Sequence, residues 1–446
     1  MTRKMSLLMA GALLGATTMI IAQHMLPVTT AEAAGSATYE ELSVFGKVFE
    51  RVRAQYVTSP DDRKLVEGAI SGMLTSLDPH SSYMNANQAQ DLRGQVQGES
   101  GGLGLEVSTE NDQLKVISLI EGRPAFKAGV QAGDYISEID GVDIRGMNFA
   151  DMTEKIRGEP NTPIELTLIR KGIDKPIKLK IMRDVVKVEA VKYRVEGDVG
   201  YLYILSFTEQ TFDEMRKAIR DIRSKVRDSK LKGFVLDLRL NPGGLLDQAV
   251  DVSDAFLDRG EVVSTRSRGP QSVTRFDARP GDLINGKPLI VLINGGSASA
   301  AEIVAGALQD HRRGTILGSR SFGKGSVQTI TPLGDGALRL TTALYYTPAG
   351  KSIQGKGIMP DIVIDQSWPD DLKGRAETVS ESSLKGHIKG AQEDAEGSGS
   401  VAYVPPDPKD DIQLVQALKL LRGDVTNAAF PPDPNRGLPA RPPQKG

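Results

Sequence analysis

The chain has no cysteine, so it carries neither a disulfide nor a thiol nucleophile, and its stability must come from its core. Aromatic residues make up only 5%, too few to imply a stacking platform. Neither sign of charge is in excess: a formal net charge of −2 gives no basic field to attract nucleic acid, which is therefore not an expected partner. Histidine is scarce, with four copies, and this narrows any search for a general base. The rest is ordinary, since 39% hydrophobic and 25% charged residues describe a globular protein. At roughly 150 residues per domain the length suggests about three domains.

The first residues depart from that average. "MTRK" precedes an apolar run at 5–21, and polar residues then lead to the small-residue site Ala31-Glu32-Ala33. This reads as a secretory signal, residues 1–33, cleaved after Ala33; the alternative is an uncleaved anchor that crosses the membrane once. Either way Arg3 and Lys4 stay cytoplasmic and the body is exported, to the periplasm or another extracytoplasmic space. Residues 34–95 carry Leu42, Phe45, Phe49, Val52 and Tyr56 at helical spacing. These stripes pack on the domain behind or on another subunit, and a homodimer is the expected assembly.

Residues 96–186 alternate short β-like runs with turns around one helical stretch. "GGLGL" and "RPAFKAGVQAGDYISEIDGVDI" together resemble a PDZ domain. The resemblance implies that Gly102, Leu103, Gly104 and Leu105 offer backbone N–H groups to a peptide's terminal carboxylate beside the strand "LEV". From 187 to 366 the rhythm changes to strands alternating with helices: "VGYLYILSF", "FDEMRKAIRDIRSKVRD", "KGFVLDLRL", "GLLDQAVDVSDAFLD", "PLIVLIN" and "SAAEIVAGALQD". That alternation predicts an α/β layer of mixed sheet and helices with a buried sheet. Residues 367–446, rich in Gly, Ser, Pro and charge, are expected to be mobile apart from one amphipathic helix at "DIQLVQALKLLRG".

The strand "LIVLIN" runs into Gly295-Gly296 and two serines, Ser297 and Ser299, at the start of a helix. Free N–H groups there can stabilise an oxyanion, but serine is also a favoured N-cap, so these residues alone leave both serines open. A hydroxyl nucleophile needs a base. His24 falls in the signal, His387 in the polar tail, and His311 about three turns along the helix, too far to reach back. His80, in "SLDPHSSYM", reads as a turn or capping residue and remains the alternative base. Lys324, between Gly323 and Gly325 and near Phe322 and Val327, can serve if burial lowers its pKa. Residues 318–324 spell GxxxxGK, but Gly325 stands where a P-loop has Ser or Thr and a strand follows instead of a helix, so no nucleotide is expected.

"GFVLDLRLNPGGLL", "NGGSASAAEI", "GSRSFGKGSVQ" and "TPAGKSIQGKGIMPDI", together with "LDPHSSY" and the PDZ, resemble the C-terminal processing peptidases, or tail-specific proteases, over roughly residues 38–366. In that family the nucleophile is the second serine of the "SAS" run, the base is a lysine 25 positions later, and a glutamine follows four residues on. The resemblance thus implies Ser299 as nucleophile, Lys324 as base and Gln328 as the residue that orients it. It implies an oxyanion hole from the backbone N–H groups of Ala300 and Gly243, with Gly244 as a further candidate, and leaves Ser297 a cap or turn hydroxyl. The fold implied is a serine protease core at 187–366 with an inserted PDZ.

The expected activity is that of an exported serine endopeptidase cutting protein substrates with free C-termini near those termini. No cofactor or metal is expected, and an activating adaptor protein is a further expected partner. The rival readings are a non-enzymatic PDZ chaperone or adaptor with a degenerate protease core, and an amidase for small substrates. The intact Ser299, Lys324 and Gln328 weigh against the first, and the PDZ against the second.

Overall fold

The computed structural model describes residues 31–432 except 111–112, 146, 148, 188, 270–271, 368–379 and 391–398. The signal segment up to residue 30 lies outside the described residues, and among these no helix is long and apolar enough to cross a membrane. The chain divides between Gly72 and Met73 into two compact units. The first is helical: Ala31–Gln55 leaves Tyr39, Leu42, Phe45 and Val48 exposed, and Arg53 pairs with Glu50 and Asp62.

The second unit is built on a six-stranded sheet ordered Val191–Glu196, Val199–Ile204, Gly233–Asp237, Leu289–Ile293, Thr315–Gly318, Ile362–Val363. The first pair is antiparallel and the rest are parallel. Parallel strands connected through helices are covered on both faces, which is why "GFVLD" and "LIVLI" are buried at every position. Phe234, Leu236, Leu289, Val291 and Ile293 pack with the helices Thr211–Lys225, Leu246–Asp254 and Ala300–Asp310. The alternate residues Val235, Ile290 and Leu292 pack with Ile412–Arg422 on the other face.

Beside it stands an antiparallel sheet of Ser82–Met84, Gly336–Tyr346, Gly260–Ser267 and Val273–Ala278, with Ser326–Leu333 also paired to Gly336–Tyr346. The PDZ region has its own sheet, in which Leu105–Glu110 is an edge strand, and its own core around Leu114, Ile136, Met152 and Leu166. The ribbon Glu99–Gly102 with Asp184–Lys187 brings its incoming and outgoing chain together, as an insertion requires.

The tail departs from expectation. Its helix is present, capped by the Asp411 carboxylate on Leu414 N–H (3.0 Å) and by left-handed Gly423. Beside the expected helix, whose Leu414, Ala417, Leu420 and Leu421 close one face of the main sheet, the partly buried Val425, Ala429 and Phe430, in a stretch expected to be mobile, also pack against that core. Asp411 also meets Arg239, which is fully buried. The guanidinium donates to Asp411 Oδ1 and Oδ2 (2.8 and 2.7 Å), to Asp237 Oδ1 and Oδ2 (2.9 and 2.6 Å) and to Gln413 Oε1 (3.0 Å). Composition could not reveal this, because the partner lies 172 residues away. Removing one partner of such a buried group leaves charge uncompensated, so Asp411→Ala is expected to cost about 3–5 kcal/mol in denaturant unfolding. Asp407→Ala, exposed on the same segment, should stay within about 0.5 kcal/mol of wild type.

Candidate active site

The strand Leu289–Ile293 ends in a tight loop that the sequence itself organises. Asn294 Oδ1 accepts the N–H groups of Gly296 (2.9 Å) and Leu240 (3.1 Å). Ser297 is fully buried, and its hydroxyl accepts Asn294 N–H (3.0 Å) and donates to the Leu238 carbonyl (2.8 Å). Ser297 is therefore a turn hydroxyl. Ser299 follows at φ 54°, ψ −113°, a strained conformation for a residue with a Cβ, at the N-terminus of Ala300–Asp310.

Glu302, in the first turn of that helix, is fully buried and faces no cation among its hydrogen-bond partners. Its Oε2 accepts Ser299 N–H (2.8 Å) and Lys324 N–H (2.9 Å); its Oε1 accepts Gly323 N–H (2.7 Å) and Ser321 Oγ–H (2.5 Å). One carboxylate thus holds both loops. Desolvation pushes it up to about 7, and the four donors keep it from rising further. The family resemblance did not single it out, although Ser-x-x-Glu before an apolar helix is a capping-box pattern that could have.

Lys324 is half-buried. Desolvation, with the nearby Arg339 charge adding to it, brings its ammonium down to about 8. Gly325 is required here, since a Cβ would lie 2.4 Å from Gln354 N. In this conformation no hydrogen bond joins Lys324 to Ser299 or to Gln328 among the described residues. Gln328 Nε2 instead donates to Ser326 Oγ and Thr341 Oγ1, both at 3.1 Å.

Gly243 stands against Ser299: at φ 101°, a Cβ there would lie 2.7 Å from Ser299 Cβ and 3.0 Å from Ala300 N. Its own N–H, however, donates to Asn241 Oδ1 (2.8 Å), while among the described residues the N–H groups of Ala300 and Gly244 have no acceptor. In the PDZ loop Leu103 is buried and Gly104 is left-handed, with Gly102 before them and Leu105 opening the edge strand. The histidines have other contacts. His80 contacts Glu381 at 2.9 Å and His311 Nε2 contacts the Glu261 carbonyl at 2.7 Å. His387 Nδ1 lies 3.0 Å from the Leu384 carbonyl.

Comparison with known proteins names the class. The models for peptidase family S41, the PDZ domain and the activating protease CtpB N-terminal domain match residues 198–364, 101–181 and 8–88. The chain is a protease with a PDZ domain. The carboxy-terminal-processing protease of Bartonella bacilliformis is 61% identical over 98% of this chain and 100% of its own length. The carboxy-terminal processing protease CtpA of Bacillus subtilis is 37% identical over 74% and 69%. A solved photosystem II D1 C-terminal processing protease shares 30% identity over 73% of this chain and 88% of that one, with a TM-score of 0.44. This chain belongs to the carboxy-terminal processing protease family.

If Glu302 holds both loops, its amide should not. Glu302→Gln keeps one acceptor oxygen and turns an NH2 toward the donors of the other. The expected loss is about 2–4 kcal/mol, with faster hydrogen exchange at Gly323 and Lys324, by mass spectrometry, than in the main sheet.

Proposed function

We propose that the chain is an exported serine endopeptidase with Ser299 as nucleophile and Lys324 as general base. The carrying observation is that Glu302 accepts the backbone N–H groups of both residues on one oxygen. In this reading Ser299 Oγ attacks the scissile carbonyl carbon and passes its proton to neutral Lys324. The oxyanion forms against Ala300 N–H and the Gly243-Gly244 turn, with Gly243 joining once Asn241 releases it. The lysine ammonium then protonates the departing amine, and water, deprotonated by the same lysine, releases the acyl group.

The substrates proposed are exported proteins with free C-termini, held by their tails at Gly102, Leu103, Gly104 and Leu105 against the edge strand Leu105–Glu110. Export rests on the signal pattern of residues 1–33, and the exposed Tyr39, Leu42, Phe45 and Val48 support a homodimer. An activating adaptor completes the proposed partners.

Ser299→Ala and Lys324→Met should each abolish peptide cleavage while the proteins stay folded, whereas Ser297→Ala should retain the nucleophile and lose stability through its turn. The base works only when neutral, so wild-type activity should rise with pH through about 8. Below about 7 Glu302 takes up a proton as well, and the limb should steepen from one proton toward two. A limb centred near the ordinary histidine value, or cleavage surviving in Lys324→Met, would assign the base elsewhere.

In the full-length Ser299→Ala chain, a peptide with an apolar free C-terminus should bind about tenfold more tightly than its C-terminal amide, read by calorimetry. Equal affinities would remove carboxylate capture from the reading.

A further inference from the structure

Asp78, in "SLDPHSSYM", is buried and saturated with donors. Its Oδ1 accepts His80 N–H (2.8 Å), Ser81 N–H (2.9 Å) and Thr341 Oγ1–H (3.0 Å), and its Oδ2 accepts Ser81 Oγ–H (2.6 Å). These bonds more than offset its desolvation and hold the carboxyl below its ordinary range, so it is ionised and can only accept. The single hydroxyl proton of Thr341 is therefore committed to Asp78. What Thr341 presents to Gln328 is a lone pair, and the amide must answer with its NH2, as found at 3.1 Å. A carboxamide is planar, so its oxygen points the other way, and among the described residues that oxygen accepts nothing. A break in strand register falls between Val327 and Gln328, the irregularity at which a strand can re-aim a side chain.

We infer that Asp78, acting through Thr341, is a positioning residue that fixes the polarity of the Gln328 carboxamide, so that its oxygen and not its NH2 is offered to the Lys324 amine. The inference rests on the Ser299–Lys324 reading. Its chemistry is directional. An amide oxygen accepts an N–H of the neutral amine and leaves the nitrogen lone pair for the Ser299 proton. A flipped amide donates into that lone pair and blocks it. The charges acting on the lysine are Arg339, Glu381, Glu302 and Asp78 itself, with His80 seated on Glu381.

The test uses the full-length protein and a peptide substrate, with kcat and KM measured against pH for Thr341→Val, Thr341→Ser and Asp78→Asn. Thr341→Val removes the relay but keeps the Asp78 turn bonds to His80 and Ser81. It is expected to lower kcat about tenfold with KM within about twofold, and to move the acid limb to lower pH, because an NH2 facing the amine disfavours the ammonium. Thr341→Ser restores the hydroxyl and should recover kcat to within about threefold. Asp78→Asn should repeat the Thr341→Val signature; if it fails to fold, Thr341→Val alone decides. Unchanged kcat in Thr341→Val overturns the inference. So does a limb displaced upward toward ordinary lysine, the mark of a merely loosened and wetter pocket. If Lys324→Met proves inactive while Thr341→Val is normal, only the relay fails; if Lys324→Met is active, the dyad fails with it.

Discussion

The buried Glu302 carboxylate is the interaction on which the candidate site depends, because its oxygens accept N–H groups from both the Ser299 loop and the Lys324 loop. Burying a carboxylate without a cation is costly, and what offsets it is a full complement of donors: three backbone N–H groups and one hydroxyl. Two of those donors belong to Ser299 and Lys324, so the desolvation cost is compensated only when both loops are in place. The same contact helps hold Ser299 in its strained backbone conformation, since releasing it would leave the acid short of a donor. Folding of the loops and formation of the site are thus one event.

The other side of those loops is closed by the C-terminal segment. A Cβ on Gly295 would lie 1.8 Å from the Ser400 carbonyl oxygen, and Ser400 Oγ donates to the Arg320 carbonyl (2.6 Å) and lies 2.8 Å from the Ser319 hydroxyl. The Ser299 loop and the Lys324 loop therefore share the Ser400-Val401 segment as a backing as well as a common acceptor. Further along the same tail, the helix Ile412–Arg422 packs on the main sheet and Asp411 pairs with Arg239. Arg239 itself lies between the strand Gly233–Asp237 and the Gly243 turn, so one buried cation ties the tail to the segment that leads into that turn.

What was legible in the sequence was what is local. The runs read as helices and strands of the α/β layer fall on Thr211–Lys225, Gly233–Asp237, Leu246–Asp254, Leu289–Ile293 and Ala300–Asp310, because each carries its periodicity within itself. The PDZ and the family could be read from motifs. The long-range partners were hidden. Thr341 looks like any strand threonine until Asp78, 263 residues earlier, is folded against it, and Asp411 looks like a tail charge until it meets Arg239. Glu302 lay between the two, a local capping residue whose second set of donors arrives from the Lys324 loop.

The electrostatics of Lys324 follow from the same saturation. Three carboxylates, Glu381, Glu302 and Asp78, favour its ammonium, yet desolvation outweighs them and the lysine falls to about 8. Each acid is already committed: Glu302 to its four donors, Glu381 to His80 and to Gln354 Nε2 (2.9 Å), and Asp78 to its turn and Thr341. Among the described residues none of these carboxylates accepts a hydrogen bond from the Lys324 amine. A carboxylate paired directly with the lysine would hold it protonated, whereas a neutral amide beside it can orient the amine at little cost to its basicity. The acids fix backbone and hydroxyls, and on the proposed reading this leaves Gln328, which carries no charge, as the side chain available to a base that has to work without its proton.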